Sequence, residues 1–197
     1  MSFFSPKIFR DLSTERLVLR EPKLSDSEDV FEFCSDPASC RYVDWHPHQS
    51  KWETRDYIAY LKRHIAQGCN HSYTWFAQLK NEKKVIATVS LVELDSSGRI
   101  ATVGYTFSGK YQHKGLATEA LLCLIHYLFE ERSVERVQAK VLPDNLPSIR
   151  LLERVGMKRE ALLRKGVFCK TTCVDVCIYS VLRAEFEKFY RDMLQNN

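Results

Sequence analysis

No apolar run in this sequence approaches a membrane span: the longest, Ala120-Leu121-Leu122-Cys123-Leu124-Ile125, stops at His126, far short of the roughly 20 residues a bilayer helix needs. Met1-Ser2-Phe3-Phe4-Ser5-Pro6 shows no basic stretch, long apolar core or small-residue cleavage site of the kind a secretory signal carries. The expectation is a cytoplasmic protein that does not engage a membrane. Glycine (7) and proline (6) are sparse among 197 residues, which excludes collagen-like and low-complexity chains. A one-sided charge is also missing: 29 Lys and Arg against 25 Asp and Glu leave +4. That is too little for a dedicated nucleic-acid module and suits a small anionic ligand better. Seven cysteines, an odd number, lie scattered at Cys34, Cys40, Cys69, Cys123, Cys169, Cys173 and Cys177. A chain of this length buries a core without disulfide staples, so free thiols are expected.

What is present reads as one domain over residues 1–197, with no repeat or linker. Residues 16–20 alternate apolar and polar as a strand does, and Ser25 opens a helix with Asp26, Glu28 and Asp29 in its first turn. A second helix over Trp52–Gln67 carries Trp52, Tyr57, Ile58 and Leu61 on one face and ends at Gly68. Tyr73–Leu79, Val85–Leu94 and Ile100–Phe107 are β-rich runs with turns between them, an antiparallel meander. A helix follows from Gly115, then a strand over Val134–Val141, a short helix over Ser148–Val155, and strands over Lys158–Val167 and Thr172–Leu182. A last helix has Phe186, Phe189, Tyr190 and Met193 at helical spacing. This order predicts an α/β (α+β) fold with a mixed, mostly antiparallel sheet of about seven strands flanked by helices.

The chemistry concentrates in residues 103–120, where a strand runs into a glycine-bearing basic loop and then a helix. Successive N–H groups of such a loop converge on an anion, and the helix N-terminus adds partial positive charge. The nucleotide P-loop spacing fails, because Gly109 and Gly115 are separated by five residues and Leu116 follows. The dinucleotide fingerprint fails as well, since no G-x-G-x-x-G occurs. Cys169-x-x-x-Cys173-x-x-x-Cys177 has the wrong spacing for a zinc knuckle, and a β run would string the sulfurs out; no metal is expected.

The remaining pattern, Gln112-x-x-Gly115-x-Ala117 after a strand, resembles the pyrophosphate motif of the GNAT acetyltransferase superfamily. Thr14-Glu15-Arg16-Leu17-Val18-Leu19-Arg20 is similar to the first strand of its ribosomal-protein N-acetyltransferase (RimJ/RimL-like) branch. Asn145-x-x-Ser148 with Leu151-Leu152-Glu153-Arg154-Val155-Gly156-Met157 resembles a further signature of that branch, and Arg164, Asp175, Tyr179 and Ser180 continue it. Two departures are His113, where the family usually has a small residue, and Met157, where it usually has Phe.

The resemblance implies the GNAT fold and acetyl-CoA as co-substrate, held between the strand ending at Phe107 and the strand ending near Leu142. Tyr105, Thr106 and Phe107 would pair with the pantetheine through their backbone. Gln112, His113, Lys114, Gly115, Leu116, Ala117 and Thr118 would wrap the pyrophosphate, with Lys110 and Lys114 offsetting its charge. Asn145 would reach the pantetheine arm, and Ser148 would hydrogen-bond the sulfur and stabilise or protonate the leaving thiolate. Asn145 equally suits a helix N-cap, with Pro147 at the first helical position. The glutamate base that other branches place on the strand containing Val137-Gln138-Ala139-Lys140-Val141 has no counterpart here. Glu93, on the strand before the Asp95-Ser96-Ser97-Gly98 turn, is a candidate to deprotonate the acceptor directly or through water, and equally suits a solvated strand end. The implied reaction is direct acetyl transfer to a primary amine, above all a peptide or protein N-terminus. An aminoglycoside, a polyamine, an amino acid, or a non-catalytic acyl-CoA-binding regulator are the alternatives. Glu28, Asp29, Glu32 and Asp36 point to an acidic acceptor groove, and Asp44-Trp45-His46-Pro47-His48 to an acceptor-site loop. No direct nucleic-acid partner is implied, and the chain is expected as a monomer or homodimer.

Overall fold

A computed structural model describes residues 10–68 and 71–195. Cys69 lies outside them. Eight strands form one sheet in the order β1-β2-β3-β4-β5-β6-β8-β7. They are β1 (Leu12–Ser13), β2 (Leu17–Arg20), β3 (Tyr73–Leu79), β4 (Val85–Leu94), β5 (Ile100–Phe107), β6 (Arg136–Val141), β7 (Lys158–Cys169) and β8 (Thr172–Leu182). Every neighbouring pair is antiparallel except β5 with β6. That parallel pair exists because α3 (Leu116–Arg132) carries the chain back across the sheet between the two strands. The sheet has one strand more than the sequence predicts. β1 is two residues long, too short to show alternation, and is held by pairing Leu12 with Leu19.

The period-2 pattern of β3 separates two cores. Trp75 and Ala77 face one, and Phe76 faces the other. α1 (Ser27–Cys34) and α2 (Lys51–Ala66) bury Val30, Phe33 and Ile58 with Phe76 and Val85. On the opposite face α3 buries Leu121, Leu124, Ile125 and Leu128, and α5 (Arg183–Gln195) sets Phe186 5.4 Å from Phe129, ring centre to ring centre. α4 (Leu146–Arg154) follows β6. Among the described residues no helix is long and apolar enough to cross a membrane.

Three local expectations change. The segment at Ser25 is a 3-10 turn, Leu24–Asp26, and α1 begins at Ser27. Asp26 does not cap it, because its carboxylate takes two hydrogen bonds from the buried Arg20 guanidinium, at 2.9 and 2.7 Å. Trp52 is 74% exposed and leaves the predicted face, whereas Ile58 is buried with Thr54, and Tyr57 and Leu61 pack against the same core. The Arg55 guanidinium lies over the Trp52 ring at the surface instead. α4 starts two residues early, at Leu146, because Asn145 caps it, and Pro147 falls at its second position.

Candidate active site

The central strands part where the sequence reading places a ligand. β5 and β6 pair only from Ile100–Arg136 to Val103–Ala139. Beyond that point Gly104–Phe107 keep their partners on β4, while Lys140 and Val141 keep theirs on β8. The inner edges of both strands are left without a strand partner. Buried backbone N–H and C=O groups need partners, so this splay is suited to an extended ligand carrying amides. A register shift between Leu91 and Glu93 bulges β4 beside it. Gly104 makes room for the bulge: a Cβ there would lie 2.9 Å from Val92 Cγ2.

β5 leads into the anion loop. Gly115 is the N-cap of α3 with φ 74°, the left-handed region that glycine enters at no steric cost. His113, two residues earlier, has φ 61°, a conformation costing a side chain roughly 1–2 kcal/mol. The side chain at this position is therefore held with local strain. Behind Gly115, Arg16 braces the turn. Its Nη1 donates to the Lys114 carbonyl at 2.8 Å, and its Nε donates to Glu119 Oε2 at 2.6 Å. Burial works against the Glu119 carboxylate, but hydrogen bonds from Thr14 and from the Arg16 backbone and side chain outweigh it and hold its pKa below the ordinary range. The hydroxyl Oγ1 of Thr118, in the first turn of α3, is buried without a protein partner. A helix N-terminus, a glycine whose Cβ would meet Arg16 Nη2 at 3.3 Å and a spare buried hydroxyl together fit a phosphorylated ligand.

Splay and loop open into one cleft of about 1330 Å³, above the roughly 300–1,000 Å³ of a drug-sized site. It is lined by Tyr105, Thr106, Phe107, every residue from Gln112 to Thr118, Asn145 and Ser148. Asn145 Oδ1 accepts the Ser148 N–H at 3.3 Å, so the cap holds the serine at the cleft wall. The Ser148 hydroxyl lies 2.7 Å from the Tyr105 hydroxyl. Burial pushes the Tyr105 phenol up to about 12, against the opposing pull of Ser148.

Some predicted residues are placed elsewhere. Glu93 is exposed and is not part of the cleft wall; the bulge presents Val92 there. Lys110 is not in the wall either, and its Nζ sits 3.0 Å from Glu32 Oε1. The acidic groove dissolves into separate partnerships: Glu28 with Lys51, Asp29 with the Val85 N–H, Glu32 with Lys84 and Lys110, and Asp36 with Ser39. Of the 44–48 loop, Asp44 and Trp45 reach the cleft. His48 turns inward, with Nδ1 2.8 Å from Thr54 Oγ1. Among the wall residues to which the sequence reading gives no role are three cations, Arg16, Arg150 and Arg154. For the last two a signal existed, since four-residue spacing on a helix puts both on one face of α4.

Comparison with known proteins identifies the family. The acetyltransferase (GNAT) domain family matches residues 16–158. An uncharacterized N-acetyltransferase, p20, of Bacillus licheniformis is 32% identical over 175 residues, covering 89% of this chain and 97% of that protein. The [ribosomal protein uS5]-alanine N-acetyltransferase of Escherichia coli is 28% identical over 159 residues, covering 76% of this chain and 78% of that protein. The microcin C7 self-immunity acetyltransferase MccE, solved with acetyl-CoA and AMP, shares the fold at TM-score 0.75 and 22% identity, over 86% of this chain and 93% of that one. A match over most of the chain, a relative above 30% identity and a shared fold leave one assignment: the chain belongs to the GNAT family of N-acetyltransferases.

Proposed function

We propose that this domain binds acetyl-CoA along the β5–β6 splay and transfers the acetyl group directly to the α-amine of a peptide or protein N-terminus. The observation that carries the reading is the continuity of the unpaired β5 edge, Gly104–Phe107, with the left-handed Gly115 turn at the start of α3. One strand edge offers amide partners, and the next turn offers N–H groups to a pyrophosphate. Arg16, Lys114, Arg150 and Arg154 line the same cleft and bring positive charge to its wall. The sulfur then falls near Ser148, whose hydroxyl stabilises negative charge as the C–S bond breaks.

An N-terminal acceptor fits a wall in which Glu93 takes no part. An α-amine of pKa about 7.7–8.0 is roughly 10–15% neutral at pH 7, whereas lysine is about three orders of magnitude scarcer in that form. The former reacts without a strong base, giving up its proton to water. The E. coli relative, named for a ribosomal-protein alanine, supports the same acceptor class. Thiol release from acetyl-CoA against N-terminal peptides, lysine peptides, polyamines and aminoglycosides tests the reading. Turnover with N-terminal peptides is expected. Turnover confined to another class overturns the acceptor, and binding of acetyl-CoA without turnover on any class overturns the transfer.

A further inference from the structure

Ser148 is not alone at the cleft wall. Its hydroxyl, at the first turn of α4, meets the hydroxyl of Tyr105, 43 residues earlier on β5, at 2.7 Å. The Asn145 cap fixes the Ser148 backbone from one side. The Tyr105 ring packs against the main core and lies 6.3 Å from the Phe107 ring in an edge-on arrangement, which fixes the phenol from the other. The two oxygens are therefore held together by rigid elements, one on each side of the splay.

Donor and acceptor follow from chemistry. A phenol, with pKa about 10 in water, is a much stronger donor than an aliphatic alcohol. Burial raises the Tyr105 pKa further, so the phenol keeps its proton at neutral pH. Once Tyr105 Oη–H donates to Ser148 Oγ, the serine proton has no role in that bond and is free for the cleft.

We propose that Tyr105 is a positioning residue for acetyl transfer: its phenol donates to Ser148 Oγ and thereby aims the serine O–H at the thioester sulfur. The inference rests on the acetyl-CoA reading given above. In the step it serves, the amine nitrogen forms a bond to the acetyl carbon and the C–S bond breaks with its electron pair remaining on sulfur. The nitrogen loses its extra proton to water, and CoA departs as a thiolate. The Ser148 hydroxyl hydrogen-bonds that sulfur and keeps its proton throughout. Tyr105 strengthens the interaction because a hydroxyl that accepts one hydrogen bond becomes a better donor of another.

The test compares wild type, Tyr105→Phe, Ser148→Ala and the double variant in kcat and KM for acetyl-CoA, using the best acceptor of the amine panel. Tyr105→Phe keeps the ring and removes only the hydroxyl. A fall in kcat of about tenfold is expected, the worth of one hydrogen bond, with KM for acetyl-CoA within about twofold of wild type. In the Ser148→Ala background the same change should cost nothing further. An unchanged kcat overturns the proposal, as does an equal loss in both backgrounds, and so does a loss expressed in KM alone, which marks a packing role. Failure of wild type to turn over any amine while binding acetyl-CoA overturns the transfer reading and this inference with it. Wild-type turnover with an unaffected Tyr105→Phe overturns the inference alone.

Discussion

Arg16 ties β2 to the turn proposed to hold the cofactor's pyrophosphate, and replacing it by Met removes the tie while keeping the aliphatic stem. Two side-chain bonds are lost, Nε to Glu119 at 2.6 Å and Nη1 to the Lys114 carbonyl at 2.8 Å. Buried, hydrogen bonds to charged groups contribute about 1.5–3 kcal/mol each. The Arg16 side chain is 46% exposed, so solvent screening reduces the pair to about 1–2 kcal/mol together. Glu119 is not orphaned by the change, because Thr14 Oγ1 and the Arg16 backbone N–H still donate to it. In a chain of this size that loss lowers Tm by about 2–8 °C. The loop must also be reordered when ligand binds, so the Kd for CoA rises by about five- to thirtyfold. Thermal unfolding with and without CoA, and titration calorimetry with CoA, give both numbers. Arg16→Lys keeps the charge but lacks the fork that bridges two acceptors, so it should rescue little. A lowered Tm with unchanged CoA affinity refutes the reasoning that Arg16 shapes the binding loop. No change in either refutes the clamp itself.

Gly115→Ala puts a Cβ 3.3 Å from Arg16 Nη2 in a left-handed turn, which costs about 1–2 kcal/mol; calorimetry should show CoA binding weakened about fivefold or more, and Gly115→Trp should abolish it. Glu119 has a folded-state pKa below the ordinary range, so its contribution is complete above the unfolded glutamate pKa of about 4.3 and is lost as pH falls through the lower folded value. The Tm difference between wild type and Glu119→Gln should therefore shrink below about pH 4, and a gap constant with pH would contradict the assignment. Burial, with the neighbouring Cys40, pushes the Cys34 thiol up to about 12, while Cys173 is exposed. Peptide mapping after brief alkylation of the native protein should find Cys173 modified well before Cys34, Cys40 or Cys177.

The sheet was legible because seven of its strands are long enough for alternation and turn chemistry to show. β1 was not, since two residues carry no period and Leu12 is placed by pairing with Leu19. Helix periodicity located α2 and its core-facing Tyr57, Ile58 and Leu61, but added Trp52 to that face. Trp52 is apolar by type, yet it is satisfied at the surface under the Arg55 guanidinium. Within the site, the anion loop and the Asn145 cap are local in sequence and could be read from it. The elements missed are contacts across the fold. Arg16 reaches Lys114 over 98 residues and Tyr105 reaches Ser148 over 43, and no local pattern encodes either. Glu93 lies exposed outside the cleft wall for a related reason: a bulge shifts the register of β4 beside it, and one residue of slip exchanges the faces of a strand. Charge counting likewise pointed to an acidic groove around Glu28–Asp36 that the lysine partners of Glu28 and Glu32 neutralise.

On the proposed reading, acetyl-CoA occupies the gap where β5 leaves β6, with its pyrophosphate at the start of α3. Amide hydrogen exchange of the protein with and without acetyl-CoA tests this most directly. Slowed exchange is predicted in Gly104–Phe107 and from Gln112 to Thr118, with the outer strands β1 and β7 unchanged. Acetyl-CoA binding that leaves both segments unprotected, or that protects only residues away from the cleft, would contradict it.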